Sequence, residues 1–102
     1  MKETKTIIVI PCYNEEKRLS IDTFLNFAIQ HQYISFIFVN DGSNDGTESI
    51  INTLCKAQPK TISAIHLANN VGKAEAVRTG FLKSFKPPSH LYRLGDGSTY
   101  NS

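Results

Sequence analysis

The chain has 102 residues, 40% apolar and 20% charged, and its 11 basic and 9 acidic side chains leave a formal charge of +2. That composition supports one small domain with one core, and it excludes two domains and low-complexity segments. The basic residues are scattered along the chain rather than massed in a stripe, which argues against nucleic acid as a partner.

The longest apolar run, Ile7-Ile8-Val9-Ile10, is far too short to cross a bilayer, and no secretory signal pattern is present. The expected compartment is therefore the cytoplasm. Cys12 and Cys55 form no CxxC pair and read as free thiols acting as small buried hydrophobes.

Thr6 to Ile10 is continuous and β-branched, as in a strand buried on both faces, and Pro11 is expected to end it. Ser20 or Asp22 caps a helix running to about Gln30, with Phe24, Phe27 and Ala28 on one face. Ile34 to Val39 reads as a second buried strand. Asp45, with Glu48 three residues on, resembles a capping box, so a helix starts near Gly46 and buries Ile50, Ile51, Leu54 and Cys55. Thr61 to Leu67 is a third strand. Ala74, Val77, Phe81 and Phe85 share one helical stripe that Pro87 and Pro88 stop, and His90 to Leu94 begins a fourth strand.

Alternating strands and helices imply an α/β fold, a mostly parallel sheet with helices on both faces and right-handed crossovers. Ligands bind such sheets beyond the carboxyl ends of the strands. Three polar segments fall there: Pro11-Cys12-Tyr13-Asn14-Glu15, Asn40-Asp41-Gly42-Ser43 and Asn69-Asn70-Val71-Gly72-Lys73.

An EF-hand reading from Asp41 finds Ser43, Asp45 and Gly46 in place, yet Asn52 stands where the bidentate Glu is required. A Rossmann glycine fingerprint fails at Asn44, and a Walker A loop ending at Lys73 fails at Leu67 and Ala74. A nucleotide pocket read by side chains remains. Asp41 would accept hydrogen bonds from a base or ribose, Gly42 would allow a sharp turn, Tyr13 would form an aromatic wall and Glu15 a second acceptor. Lys73, at a helix start, would add positive charge where phosphate is already favoured. The histidines at 31, 66 and 90 have no ligand spacing and receive no role.

At these residues the chain resembles a known family. "IIVIPCYNEEKRL", "FVNDGSNDGT" and "ANNVGKAEAVRTGF" look like the successive signatures of family 2 inverting glycosyltransferases of the GT-A fold, the dolichyl-phosphate mannosyltransferase-like branch in particular. The match spans about residues 5 to 83. It implies a Rossmann-like half in which Pro11, Tyr13 and Glu15 line the nucleoside pocket, Asp41 contacts base or ribose, and Lys73 lies near the nucleotide. The implied donor is a UDP- or GDP-linked sugar, and the implied acceptor a lipid phosphate, a polysaccharide or another acceptor. The full-length protein would then work at the cytoplasmic face of a membrane.

The family also implies Mg²⁺ or Mn²⁺ held by an acidic motif after the fourth strand, where "YRLGDGSTYNS" offers Asp96 alone. Its catalytic base lies further downstream than this chain reaches, so residues 1–102 read as a single partial domain, truncated after its donor-binding half. A sheet cut short would expose an edge, from which a homodimer is expected. The alternative from another class is a doubly wound receiver-like signalling module with Asp41 as phosphoacceptor.

Overall fold

A computed structural model of the chain describes residues 6–84. Its elements alternate as expected: β1 (Thr6–Cys12), α1 (Ile21–Gln30), β2 (Ile34–Asp41), α2 (Thr47–Ala57), β3 (Ile62–Leu67) and α3 (Lys73–Ser84). The strands pair in parallel in the order β1-β2-β3, which makes the fold α/β. The expected fourth strand at His90 to Leu94 lies outside the described residues, as do Phe85, Pro87, Pro88 and Asp96.

Strand β1 differs from its sequence reading in two ways. It runs through Pro11, which pairs with Val39, to Cys12, which pairs with Asn40. Among the described residues β1 is an edge strand, and an edge tolerates a proline because one side of the ladder needs no N–H. Its first half is also not buried on both faces, since Ile7 is 45% exposed. Among the described residues, Val9 is the β1 side chain that packs into the cluster on the α3 face.

The two faces of the sheet follow the period-2 alternation of β2. Ile34, Phe36 and Phe38 face α1 and α2, while Ile37 and Val39 face α3. Helices α1 and α2 share one face because each joins neighbouring parallel strands by a right-handed crossover in the same direction. There Ala28, Ile51 and Leu54 are fully buried, and the Phe24 ring meets Phe36 edge-on at 4.8 Å. Burying a side chain the size of Ile51 or Leu54 contributes roughly 1.5–3 kcal/mol.

On the other face α3 turns back across β2 to β1 and presents a stripe that its apolar spacing does not predict. Ala76, Thr79 and Gly80 are buried, whereas Ala74 is exposed, Val77 is 37% exposed and Phe81 51%. The reason is close approach. A Cβ on Gly80 would lie 2.5 Å from Val9 Cγ1 and 2.9 Å from Val39 Cγ2, so only the small-residue stripe fits against the sheet.

The helix starts are built as follows. Ser20 is the N-cap of α1, and its Oγ accepts from the Thr23 N–H at 3.2 Å. Helix α2 has no reciprocal box between Asp45 and Glu48; its N-cap is Gly46. The Gly46 N–H donates to Glu16 Oε1 at 2.9 Å, and the Thr47 N–H donates to Asp45 Oδ1 at 2.9 Å. A carboxylate from the loop after β1 thus accepts the N-cap N–H, the task that a capping-box carboxylate performs from within its own helix.

Candidate functional site

A cleft of about 340 Å³ opens at the carboxyl ends of the strands. Pro11, Tyr13, Glu15, Asp41 and Lys73 all line it, so the structure brings together every site residue proposed within the described region. Cys12, Asn70 and Gly72 line it as well and were not singled out from sequence. The volume lies at the low end of small-molecule pockets.

The segment after β1 turns at Asn14, whose φ of 51° lies in the left-handed region that asparagine tolerates better than most residues. The chain then closes a short turn in which the Leu19 N–H donates to the Glu15 carbonyl at 2.9 Å. Tyr13 stays exposed at the mouth of the cleft. The Glu15 carboxylate accepts from Arg18 Nε at 2.9 Å, an exposed pair that contributes little to stability but orients the glutamate.

This segment is stitched to the loop after β2. The Asn14 N–H donates to Ser43 Oγ at 3.0 Å, and the Asn44 N–H donates back to Asn14 Oδ1 at 2.8 Å. The Glu15 N–H donates to Thr47 Oγ1 at 2.8 Å, while the Thr47 hydroxyl itself donates to Asp45. That hydroxyl, helped by the backbone N–H groups of Thr47 and Glu16, holds the Asp45 carboxyl below its ordinary range.

Beneath the stitch lies Asn40, 2% exposed, whose Oδ1 accepts from the Ser43 N–H at 3.3 Å. Its Nδ2 reaches His66 Nδ1 at 3.0 Å, and His66 Nε2 reaches Asn52 Oδ1 at 2.9 Å. A carboxamide oxygen only accepts, so His66 carries its proton on Nε2 and receives the Asn40 amide on Nδ1. His66 therefore braces the loop floor, a role that ligand spacing could not reveal.

Asp41 is 3% exposed and committed to the loop after β3. Its Oδ1 accepts from the Val71 N–H at 2.7 Å; its Oδ2 accepts from the Gly72 N–H at 2.9 Å and from Asn70 Nδ2 at 3.0 Å. Such a carboxylate is no accessible phosphoacceptor, which removes the basis of the receiver-like alternative. Cys12 is no nucleophile either, because burial, reinforced by the charge of Glu15, pushes its thiol up to about 11.

No group of three or more His, Cys, Asp or Glu side chains converges among the described residues. Of the carboxylates lining the cleft, Asp41 is occupied by N–H donors and Glu15 is paired with Arg18. The described residues therefore do not fit a divalent metal site, and Asp96 lies outside them.

Parallel strands with helices on both faces and a cleft at their carboxyl ends define an α/β fold of the doubly wound kind. The chain belongs to glycosyl transferase family 2, whose family model matches residues 7–87. It is similar to a prophage bactoprenol glucosyl transferase homolog of Escherichia coli, with 37% identity over 79 residues that make up 74% of this chain and 26% of the relative. It is likewise similar to the dolichyl-phosphate beta-glucosyltransferase of Mus musculus, with 37% identity over 101 residues, 90% of this chain and 31% of that protein. The chain thus spans about a quarter to a third of the length of these relatives. Among solved structures, a mannosyltransferase from Pyrobaculum calidifontis in complex with GDP-Man and Mn²⁺ superposes with a TM-score of 0.61, covering 80% of this chain and 24% of that one. At 20% identity this likeness shows the fold.

Proposed function

We propose that the chain forms the donor-nucleotide-binding part of an inverting glycosyltransferase, which moves a sugar from a UDP- or GDP-linked donor to a lipid phosphate. The observation that carries this reading is the convergence of Pro11, Tyr13, Glu15, Asp41 and Lys73 on one cleft at the carboxyl ends of parallel strands. The exposed Tyr13 ring offers a face for a base to stack on, and Glu15 offers an acceptor for base or ribose. Lys73 is the first residue of α3, where backbone N–H groups and the helix dipole already favour a diphosphate.

In the reaction the acceptor oxygen displaces the nucleoside diphosphate from the anomeric carbon in one step, so the new bond forms as the old one breaks. The acceptor class is supported by relatives named for bactoprenol and for dolichyl phosphate. Mg²⁺ or Mn²⁺ is proposed for the whole protein on the strength of the Mn²⁺ complex of the mannosyltransferase, with Asp96 as its candidate ligand. Work at the cytoplasmic face of a membrane is part of the same proposal.

Amide NMR titration of the chain with UDP and with GDP tests the reading. Shifts concentrated at Tyr13, Glu15, Asp41 and Lys73 with one nucleotide are expected and would name the base. An unchanged spectrum with both would sink the proposal.

A further inference from the structure

We infer that Asp41 is a positioning residue: its carboxylate holds the Asn70–Gly72 turn as a wall of the cleft and leaves Lys73 without an ion pair to it, open to the donor diphosphate. The inference rests on the cleft being the nucleotide site and assigns Asp41 a task other than contact with base or ribose.

A carboxylate presents about four lone-pair positions. Three are filled here, by the N–H groups of Val71 and Gly72 and by the Asn70 side-chain amide. The Asp41 carbonyl accepts from the same Asn70 amide at 3.1 Å, so side chain and backbone grip one turn together. The grip has something to restrain. Gly72 sits at φ +102°, and nothing lies within 4 Å of the point where a Cβ would be, so its angle is not imposed by crowding.

The turn is continuous with the helix that follows. The Gly72 carbonyl accepts from the Ala76 N–H at 2.9 Å, closing the first turn of α3 immediately after the residue that Asp41 holds. A negative charge at this end of a helix is favourable in its own right. Fixing Gly72 therefore fixes where α3 begins and where Lys73 leaves the backbone.

Charge distribution follows from the same bonds. Asp41 and Lys73 line one cleft, yet the ion pairs among the described residues are Arg18–Glu15 and Arg78–Glu75. With its oxygens turned to the Val71 and Gly72 N–H groups and the Asn70 amide, Asp41 makes no ion pair with Lys73. The Lys73 ammonium is therefore not tied to the carboxylate that shares its cleft.

Amide hydrogen exchange on the nucleotide-free chain tests the tether, with UDP and GDP titration as a separate arm. In the wild type the Val71 and Gly72 amides are expected to exchange at least about tenfold slower than the same sequence in an unstructured peptide. Asp41→Asn offers one acceptor oxygen in place of two, and both the exchange at Val71 or Gly72 and the nucleotide dissociation constant are expected to rise about tenfold. If affinity falls while nucleotide-free exchange is unchanged, Asp41 acts by touching the nucleotide and the inference is overturned. Wild-type amides exchanging at the free-peptide rate overturn it whether or not the variant folds. Asn70→Ala, which removes an exposed side chain, should speed exchange at both amides several-fold, and no acceleration there counts against the tether. A wild type that binds neither nucleotide yet shows protected amides would refute the proposed function while leaving the tether standing.

Discussion

Gly42 and Asn70 meet backbone to backbone: a Cβ built on Gly42 would lie 2.4 Å from the Asn70 nitrogen. Gly42 also has φ +69°, a region where other residues are strained. Two independent constraints therefore demand glycine where the loop after β2 passes the loop after β3. Gly42→Ala is expected to destabilise the chain by about 3 kcal/mol, read as a lower urea midpoint at unchanged slope. A loss below about 0.5 kcal/mol would show that the two loops do not pack this closely.

Thr47 is fully buried, and its hydroxyl both donates to Asp45 and accepts the Glu15 N–H. Thr47→Val keeps the volume and removes both bonds, leaving the Glu15 N–H without its acceptor. The expected loss is about 1–3 kcal/mol, with Thr47→Ser recovering most of it. Because the same bond aims Glu15, the valine variant should also move the Tyr13 and Glu15 amide resonances.

Lys73→Ala separates the nucleoside from the phosphates. Binding of UDP or GDP should weaken about tenfold, close to 1.4 kcal/mol, while uridine or guanosine binds as before. The variant's affinity should also depend less on salt than the wild type's, since the lost term is electrostatic. Calorimetry at two ionic strengths decides it, and equal losses for nucleoside and nucleotide would place Lys73 away from the phosphates.

The Cys12 thiol is raised from 9.0 to about 11, first by burial and second by Glu15. Below pH 9.0 folded and unfolded chains both keep this proton, so the stabilising contribution is fully present. Between pH 9.0 and about 11 the unfolded chain releases it first, and stability falls as pH rises through that window. Since Cys55 is also raised by burial, the comparison belongs in a Cys55→Ala background. There, adding Cys12→Ala should flatten the alkaline slope of stability against pH. At pH about 8, alkylation of the wild type should reach half-buried Cys55 well before Cys12.

Much of this architecture is legible in the residues themselves. The β-branched runs and the Ser20 cap mark elements whose local preference agrees with their tertiary place. The polar segments after each run land on one cleft because a parallel sheet puts all carboxyl ends together. Helix α3 shows where pattern reading stops. Two stripes compete on it, Ala74-Val77-Phe81 and Ala76-Thr79-Gly80, and the sheet takes the less apolar one because it is thinner. Periodicity ranks stripes by hydrophobicity and is blind to how near the helix axis must come.

The site has the same division. Asp41 could be placed at the cleft from its position after a strand, but nothing in the sequence shows its oxygens facing Val71, Gly72 and Asn70. Asn70 carries a weak signal, an amide side chain two residues before a glycine in a post-strand loop. The exchange of bonds between Asn14 and Ser43-Asn44 spans about 30 positions of sequence, and local spacing rules do not reach that far.

That exchange bears on how such sites can be rebuilt. Each of Asn14, Glu15 and Glu16 finds its partner within 43–47, so the two segments behave as one interchangeable cassette. Replacing one segment alone with a sequence that lacks the side-chain acceptors Asn14 and Glu16, or Ser43, Asp45 and Thr47, would leave the facing backbone N–H groups without partners. Chimeras intended to change donor preference should therefore exchange both segments together.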